Sequence, residues 1–369
     1  MTADSEVQDR AFASTIDAFR RVVGKHPGTG GQLAIRSRDH LLVSVASGRA
    51  GARAWSRATT VNVWSVAKAV AAVALSSILA DRGHSLESRL ADLWPELRAG
   101  RDMPVQAALG HRLGLVGLRR PIGPTDLLDH DALAAELATT TPWWEPGTDV
   151  GYHSWTYGVV VRELCRRLGS GMDGALELVL GGDPGAAASF VRRGTDHAAL
   201  VALDVPPSEA SQQLAHRQTE ETRAALRNPV LTAGDANAGW WTELELPSVK
   251  LMANAEGIAL ALAQLLGRGS VPARDIDLHL TGQGRSTDRV LGDDREFAAG
   301  LVVGHADSAC PYSTTDRLRY GHDGMGGSFA CVDPEAGLVL TWVTNGMGRD
   351  INTDPRKLEI LEAFDDDTH

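Results

Sequence analysis

Thr59-Thr60-Val61-Asn62-Val63-Trp64-Ser65-Val66-Ala67-Lys68-Ala69-Val70-Ala71-Ala72-Val73-Ala74-Leu75-Ser76-Ser77-Ile78-Leu79-Ala80 is the stretch whose reading decides the fold. From Ser65 onward it is apolar nearly all round, the pattern of a helix that passes through a core rather than over a surface. Gly83, just past Asp81-Arg82, supplies a left-handed stop. One charge interrupts the run, Lys68. An ammonium stripped of water costs several kcal/mol unless it is paired or gives up its proton, so a lysine here needs an explanation.

Ser65 offers one. Three residues apart on a helix, Ser65 and Lys68 share a face about one turn apart, within hydrogen-bond reach. Burial and the positive end of the helix dipole both disfavour the ammonium form. A neutral amine beside a hydroxyl can take its proton during attack on a carbonyl, giving an acyl-enzyme. The free amides at the helix start, that of Ser65 included, supply a donor for the resulting oxyanion. The chain has 4 lysines among its 36 basic residues and 22 serines in 369 positions. Roughly 0.2 Ser-x-x-Lys pairs are expected by chance, so placement at the mouth of a buried helix carries more weight than the match itself. The bland alternative is a lysine that snorkels from the helix start.

The rest of the composition narrows the field. A chain of 369 residues can form one large domain or two, and 43% hydrophobic with 22% charged residues is ordinary globular material. A net charge of −11 argues against a nucleic-acid partner, which needs a basic face. Cys165, Cys310 and Cys331 show no CxxC spacing or disulfide framework, which points to a reducing compartment. The acidic opening Met1-Thr2-Ala3-Asp4-Ser5-Glu6-Val7-Gln8 lacks the apolar core of a signal peptide, and the longest apolar run is too short to span a bilayer. The expectation is a soluble cytoplasmic protein that uses no metal, since the twelve histidines form no ligand spacing.

Along the chain, an amphipathic helix is predicted over Phe12 to Val23. Gln32 to Arg36 and Leu41 to Ala46 read as a hairpin around Ser37-Arg38-Asp39-His40. From about Leu90 to Leu265 the texture is helical, with helices predicted over Asp131 to Ala138, Tyr157 to Leu168, Pro207 to Leu226 and Asn254 to Leu266. Strands return as a second hairpin, Ser328 to Val332 and Leu338 to Thr344, turning at Asp333-Pro334. A last helix starts with Asp354 as N-cap and Pro355 at its first position and runs to Phe364. The expected fold is α/β, an antiparallel sheet flanked by helices and carrying a mostly helical insertion. Residues 1–90 and 266–369 would form the sheet domain and residues 91–265 the helical one, with the active site in the cleft between them.

Two further segments carry candidate chemistry. Gly151-Tyr152-His153-Ser154 sets a tyrosine and a serine two apart before a helix, where a phenol whose pKa a cation depresses could pass a proton from the nucleophile to a leaving group. Packing beside Trp143-Trp144 is the alternative. Tyr320-Gly321-His322-Asp323-Gly324-Met325-Gly326-Gly327-Ser328 is dense in glycine at a strand entry, where a substrate can approach the backbone and an amide can serve the oxyanion; a plain β-bulge is the alternative. His111 reads as a capping or packing residue.

Taken in order, Ser65-Val66-Ala67-Lys68, Tyr152-His153-Ser154 and His322-Asp323-Gly324 resemble the serine β-lactamase-like superfamily, closest to its class C-like branch of esterases, transesterases and D-amino-acid peptidases. The resemblance extends from the first hairpin to the last, through Trp144-Glu145-Pro146-Gly147-Thr148. It implies a β-lactamase/transpeptidase-like fold, Ser65 as nucleophile, and Lys68 and Tyr152 sharing the base and acid roles. Ser154 would support the proton network, His322 and Gly324 would line the acyl site from an edge strand, and the amides of Ser65 and Met325 would form the oxyanion hole. The chain departs from the family at three places. His322-Asp323-Gly324 stands where β-lactamases present Lys-Thr-Gly, His111-Arg112-Leu113-Gly114-Leu115 where His-Thr-Ser-Gly-Leu is usual, and Tyr152-His153-Ser154 where Tyr-x-Asn is usual. A histidine, often neutral, holds a β-lactam carboxylate less firmly than a lysine. The expected activity is a serine hydrolase or acyltransferase on a small-molecule ester or activated acyl substrate, with no cofactor. An amide hydrolase, a weak β-lactamase and a catalytically silent ligand-binding homologue are the alternatives. The region from Gly169 to Asn228 matches nothing in the resemblance and is a candidate to shape the acyl pocket.

Overall fold

The structure, a computed structural model, describes residues 6–191, 196–267, 269–350 and 352–369. The opening residues 1–5 of the amino-terminal stretch read above lie outside these.

The main sheet is built from β1 (Val7–Gln8), β2 (Gly30–Ser37), β3 (Leu41–Ala50), β4 (Arg53–Ala54), β5 (Val302–Gly304), β6 (Arg319–Asp323), β7 (Phe329–Asp333) and β8 (Leu338–Thr344). Its order is β1-β3-β2-β8-β7-β6-β5, with β4 hanging off β3, and every pairing is antiparallel. The two predicted hairpins thus lie side by side through β2 and β8, where Leu33 faces Trp342 and Ile35 faces Leu340. Both strands are buried almost along their whole length, so they alternate between two covered faces.

Five helices cover those faces or extend the core: α1 (Ala13–Gly24), α2 (Val66–Asp81), α3 (Thr156–Arg167), α4 (Met172–Leu180) and α5 (Ala255–Leu262); α6 (Pro355–Thr368) closes the chain. On one face, Leu33, Ile35, Leu340 and Trp342 share a core with Phe12, Phe19, Ile360 and Phe364 of the α1 and α6 layer. Burying each such large side chain is worth about 1.5–3 kcal/mol relative to exposure. On the other face the sheet presents Ala34, Ala330, Val339 and Val343, and the smallness of the alanines lets α5 lie close across β2 and β8. Helix α6 starts as predicted, with Asp354 accepting from Arg356 N at 2.9 Å and Pro355 in the first turn.

Helix α2 fills the centre. Every residue from Val66 to Leu79 is buried, and its neighbours are α3, α4, α5 and β6. The chain enters it through a three-stranded ribbon in which Val61–Asn62 pairs with Met252–Ala253 and that pair with Ala188–Ser189. Two segments far apart in sequence, around Ala188 and Met252, therefore hold the approach to α2.

Two expectations change. Pro207 to Leu226 is not one helix but two, Glu209–His216 and Glu220–Leu226. Arg217 is extended, and Thr219 restarts the helix by accepting from Thr222 N at 3.2 Å, an N-cap that the apolar spacing concealed. The strand carrying His322 is not an edge strand either: β6 is paired on both sides, and the three-residue β5 forms the edge.

Candidate active site

The site begins with a strained turn. Trp64 holds φ 50°, a left-handed conformation that a bulky side chain adopts only where its surroundings impose it. Here the ring packs edge-on against Trp241 at 5.4 Å, and Val63 N donates to Leu251 O at 3.0 Å. Ala67 N to Trp64 O (2.9 Å) and Lys68 N to Ser65 O (3.0 Å) then wind the first turn. Ser65 occupies the N-cap of α2, with its side chain free of the capping role and available for chemistry.

Lys68 Nζ lies 3.2 Å from Ser65 Oγ and 2.8 Å from Ser248 O, and it sits 4.8 Å above the centre of the Tyr152 ring. The side chain is fully buried, and among the described residues no carboxylate comes within ion-pair distance of it. Burial without a counter-charge lowers its pKa well below the usual lysine value. A neutral amine donates one hydrogen to Ser248 O and turns its lone pair to Ser65. Ser248 is itself held in place. Its hydroxyl donates to Trp155 O at 3.0 Å, and the absence of a side chain at Gly158 lets it approach α3, where a Cβ would sit 2.6 Å from Ser248 Oγ. Tyr157, on α3, donates to Lys68 O at 3.1 Å and belongs to the helix rather than to the reacting groups.

Tyr152 donates from its hydroxyl to Ser65 Oγ at 2.9 Å, completing a three-member cluster. Its pKa moves opposite to the expectation of a cation-depressed phenol. Burial raises it, and neither the Ser65 hydrogen bond nor the Arg295 charge makes up the difference. Tyr152 is therefore held in its protonated form. His111 packs tilted against the Tyr152 ring at 5.0 Å and edge-on to Phe297 at 4.5 Å, and its Nδ1 accepts from His153 N at 3.1 Å. His153 accepts Leu115 N on Nε2 at 2.9 Å, which leaves Nδ1 to donate to Gly151 O at 2.7 Å. Burial drives both histidines to the neutral form, His153 down to about 4. His111 packs as expected, but it does so as the floor of the site.

The third segment forms the far wall. His322 and Met325 line the same cavity as Ser65 and Tyr152, and the His322 ring is 6.1 Å from that of Tyr152. Burial lowers the His322 pKa to about 3, so this wall offers a neutral imidazole where a lysine would bring charge. Its Nδ1 faces Asp323 O at 2.9 Å. Gly324 does not line the cavity. A Cβ there would stand 2.2 Å from Val63 O, so glycine serves the close approach of β6 to the turn that carries Ser65. Met325 N and Ser65 N have no backbone partner among the described residues. Ser154 lines the cavity, and no hydrogen bond joins it to Lys68 or Tyr152 among the described residues.

Three contributors carried no signal that sequence reading used. Ser248 enters through its carbonyl, which no motif can mark. Arg295, nearly buried in the cavity wall, is clamped by Asp293 at 2.5 and 2.8 Å. Asp288 accepts Tyr152 N (3.1 Å), Val290 N (2.8 Å) and Leu291 N (2.9 Å) on one oxygen and so fixes the phenol's backbone against the cavity loop. The cavity itself is ≈ 210 Å³ and mostly apolar, with Trp64, Trp155, Leu231 and Val249 among its walls. Ala225 and Leu226 also line it, so the region from Gly169 to Asn228 helps to shape the pocket.

A family model described as Beta-lactamase matches residues 16–178 and 185–363. The chain belongs to the Beta-lactamase family. Within it, the chain is 29% identical over 363 residues to the Esterase/beta-lactamase LipL of Mycobacterium tuberculosis, covering 91% of this chain and 82% of LipL. Among solved structures, a family VIII carboxylesterase superposes with TM-score 0.85 at 27% identity, covering 98% of this chain and 99% of that one. A penicillin-binding protein homologue from Caulobacter crescentus gives TM-score 0.84 at 26% identity, with 98% and 99% covered. The β-lactamase/transpeptidase-like fold expected from the three ordered motifs is the fold of this family member.

Proposed function

We propose that this chain is a serine esterase or acyltransferase that forms an acyl-Ser65 ester and passes the acyl group to water or an alcohol. The observation that carries this reading is the cluster of Ser65, Lys68 and Tyr152, joined by contacts of 3.2 and 2.9 Å and opening on a small apolar cavity. In acylation Ser65 Oγ attacks the ester carbonyl and its proton moves to neutral Lys68. The oxyanion is met by Ser65 N–H and Met325 N–H; one such donor is typically worth about 10²–10³ in rate. Tyr152, kept protonated by burial, gives its hydrogen to the departing alkoxide and is restored by the proton that Lys68 gained. In deacylation the acceptor's proton follows the reverse path to Ser65.

Ester chemistry is favoured over β-lactam hydrolysis by the neutral His322, which offers no charge to a substrate carboxylate. LipL and the family VIII carboxylesterase bear esterase names, which agrees with this reading. The reaction needs no cofactor. No described helix is long and apolar enough to cross a membrane, and the three cysteines are buried and free, which supports work in the cytoplasm. Incubation with a fluorophosphonate, followed by intact mass and peptide mapping, tests the nucleophile. Mass added at Ser65 and lost in Ser65→Ala is expected; an unmodified Ser65 overturns the assignment and leaves the silent binding homologue.

A further inference from the structure

The acyl cavity is not isolated. A second, larger cavity of ≈ 530 Å³ adjoins it, and Leu291 and Asn352 line both. Their characters differ. Around the first the walls are aromatic and aliphatic. Around the second the walls are still apolar over much of their area, from Ala210, Leu214 and Ala309, but hydroxyls, amides, an imidazole and a guanidinium stand among them: Ser211, Thr353, Gln213, Asn352, His216 and Arg217.

The outer wall is held as a built element. Helix Glu209–His216 is docked through Asp350, whose Oδ1 accepts Ser208 N at 2.7 Å and Ser211 Oγ at 2.8 Å. Arg217 lies over Gly292, where a Cβ would stand 2.5 Å from its guanidinium, and donates to Arg289 O at 3.2 Å. Asp293, also in this wall, has its carboxylate engaged by Arg295 of the acyl cavity. The Asp293 charge is thus already neutralised; of the groups left to a ligand Arg217 is the charged one, and the others are hydroxyls, amides and an imidazole.

We propose that this second chamber binds the alcohol portion of the substrate, and that this portion is a neutral polyhydroxylated group such as a glycerol or sugar unit. The inference rests on the esterase reading above and deepens it. An ester whose carbonyl lies at Ser65 places its acyl chain in the apolar cavity, and its alkoxy side leaves through the boundary at Leu291 and Asn352 into the polar chamber. A polyol fits a wall of hydroxyls and amides because each of its groups can both donate and accept. An apolar alcohol would make none of these hydrogen bonds.

The test compares 6-O-acetyl-D-glucose with p-nitrophenyl acetate, two substrates that deliver the same acetyl group. Ala210 is exposed and lines the chamber, so Ala210→Trp fills it from a position that tolerates bulk. The ratio of kcat/KM for the sugar ester to that for the aryl ester is expected to fall at least tenfold in Ala210→Trp and several-fold in Asn352→Ala. A ratio within twofold of the unaltered protein's in both variants overturns the proposal. Loss of Ser65-dependent turnover of p-nitrophenyl acetate in the unaltered protein is the separate result that would instead overturn the esterase reading.

Discussion

Two lysines, one at the start of α2 and one in α6, show how a buried amine acquires a role. Lys68 is 0% and Lys357 1% exposed, so water reaches neither. Lys357 Nζ rests 2.8 Å from Asp323 Oδ2 and 4.6 Å over the Tyr312 ring. Burial works against its ammonium, but Asp323 and the neighbouring Cys310 more than offset that and hold its pKa above the ordinary value. Among the described residues Lys68 meets only neutral oxygens, Ser65 Oγ and Ser248 O, and its pKa falls. Burial alone does not decide what a lysine does. The charge of the atom beside it does, and here the same strand end serves both outcomes, because Asp323 neutralises Lys357 while its neighbour His322 faces the cavity without charge.

The contrast can be broken most sharply at Lys68. Lys68→Arg keeps a basic side chain of similar reach but introduces a permanent cation, because a guanidinium does not lose its proton in a protein. Turnover of p-nitrophenyl acetate is expected to drop about 10³-fold or more, the scale of a lost general base; a loss below tenfold would mean that charge, not basicity, is what the position supplies. At the other lysine the expectation is structural. Lys357→Met leaves Asp323 buried without its partner, and urea unfolding should show a loss of roughly 3–5 kcal/mol. The double variant with Asp323→Asn should recover most of it, and equal losses in both would show that the pair is not what holds α6 to the sheet.

How far these sites could be read from sequence follows from the kind of signal each leaves. Lys68 was legible because one charge in an all-apolar helix is an anomaly, and Ser65 because helical spacing fixes what lies beside it. The two hairpins and the Asp354-Pro355 start of α6 were legible from local turn and cap chemistry. Lys357 was not: it sits in a helix with Arg356, Glu359 and three aspartates, where a charged residue raises no question, and only the tertiary packing shows it covered. The lowered basicity of Lys68 could be argued from sequence, whereas the direction for Tyr152 could not, since it depends on how completely the phenol is enclosed. The break at Arg217 was hidden because apolar spacing outweighed the local Thr219 cap, and the interior place of β6 because its partner Val302–Gly304 is too short to read as a strand.

A smaller effect sharpens the role of the third motif. Gly324→Ala forces a Cβ toward Val63 O and should shift the turn that carries Ser65, with a loss of about 10² in kcat/KM, the typical penalty for an ångström of misplacement. Unchanged circular dichroism with that loss fits a positioning role; full activity would show that β6 and the Ser65 turn are less tightly engaged than this packing implies.

With four lysines in the chain, titration of lysine Cε resonances in the ¹³C-lysine-labelled protein reads the central contrast directly. One resonance, absent from Lys68→Met, is expected to titrate well below the ordinary lysine range, and another, absent from Lys357→Met, to stay charged beyond it. A Lys68 signal that titrates at or above the ordinary value would contradict the assignment of Lys68 as the base.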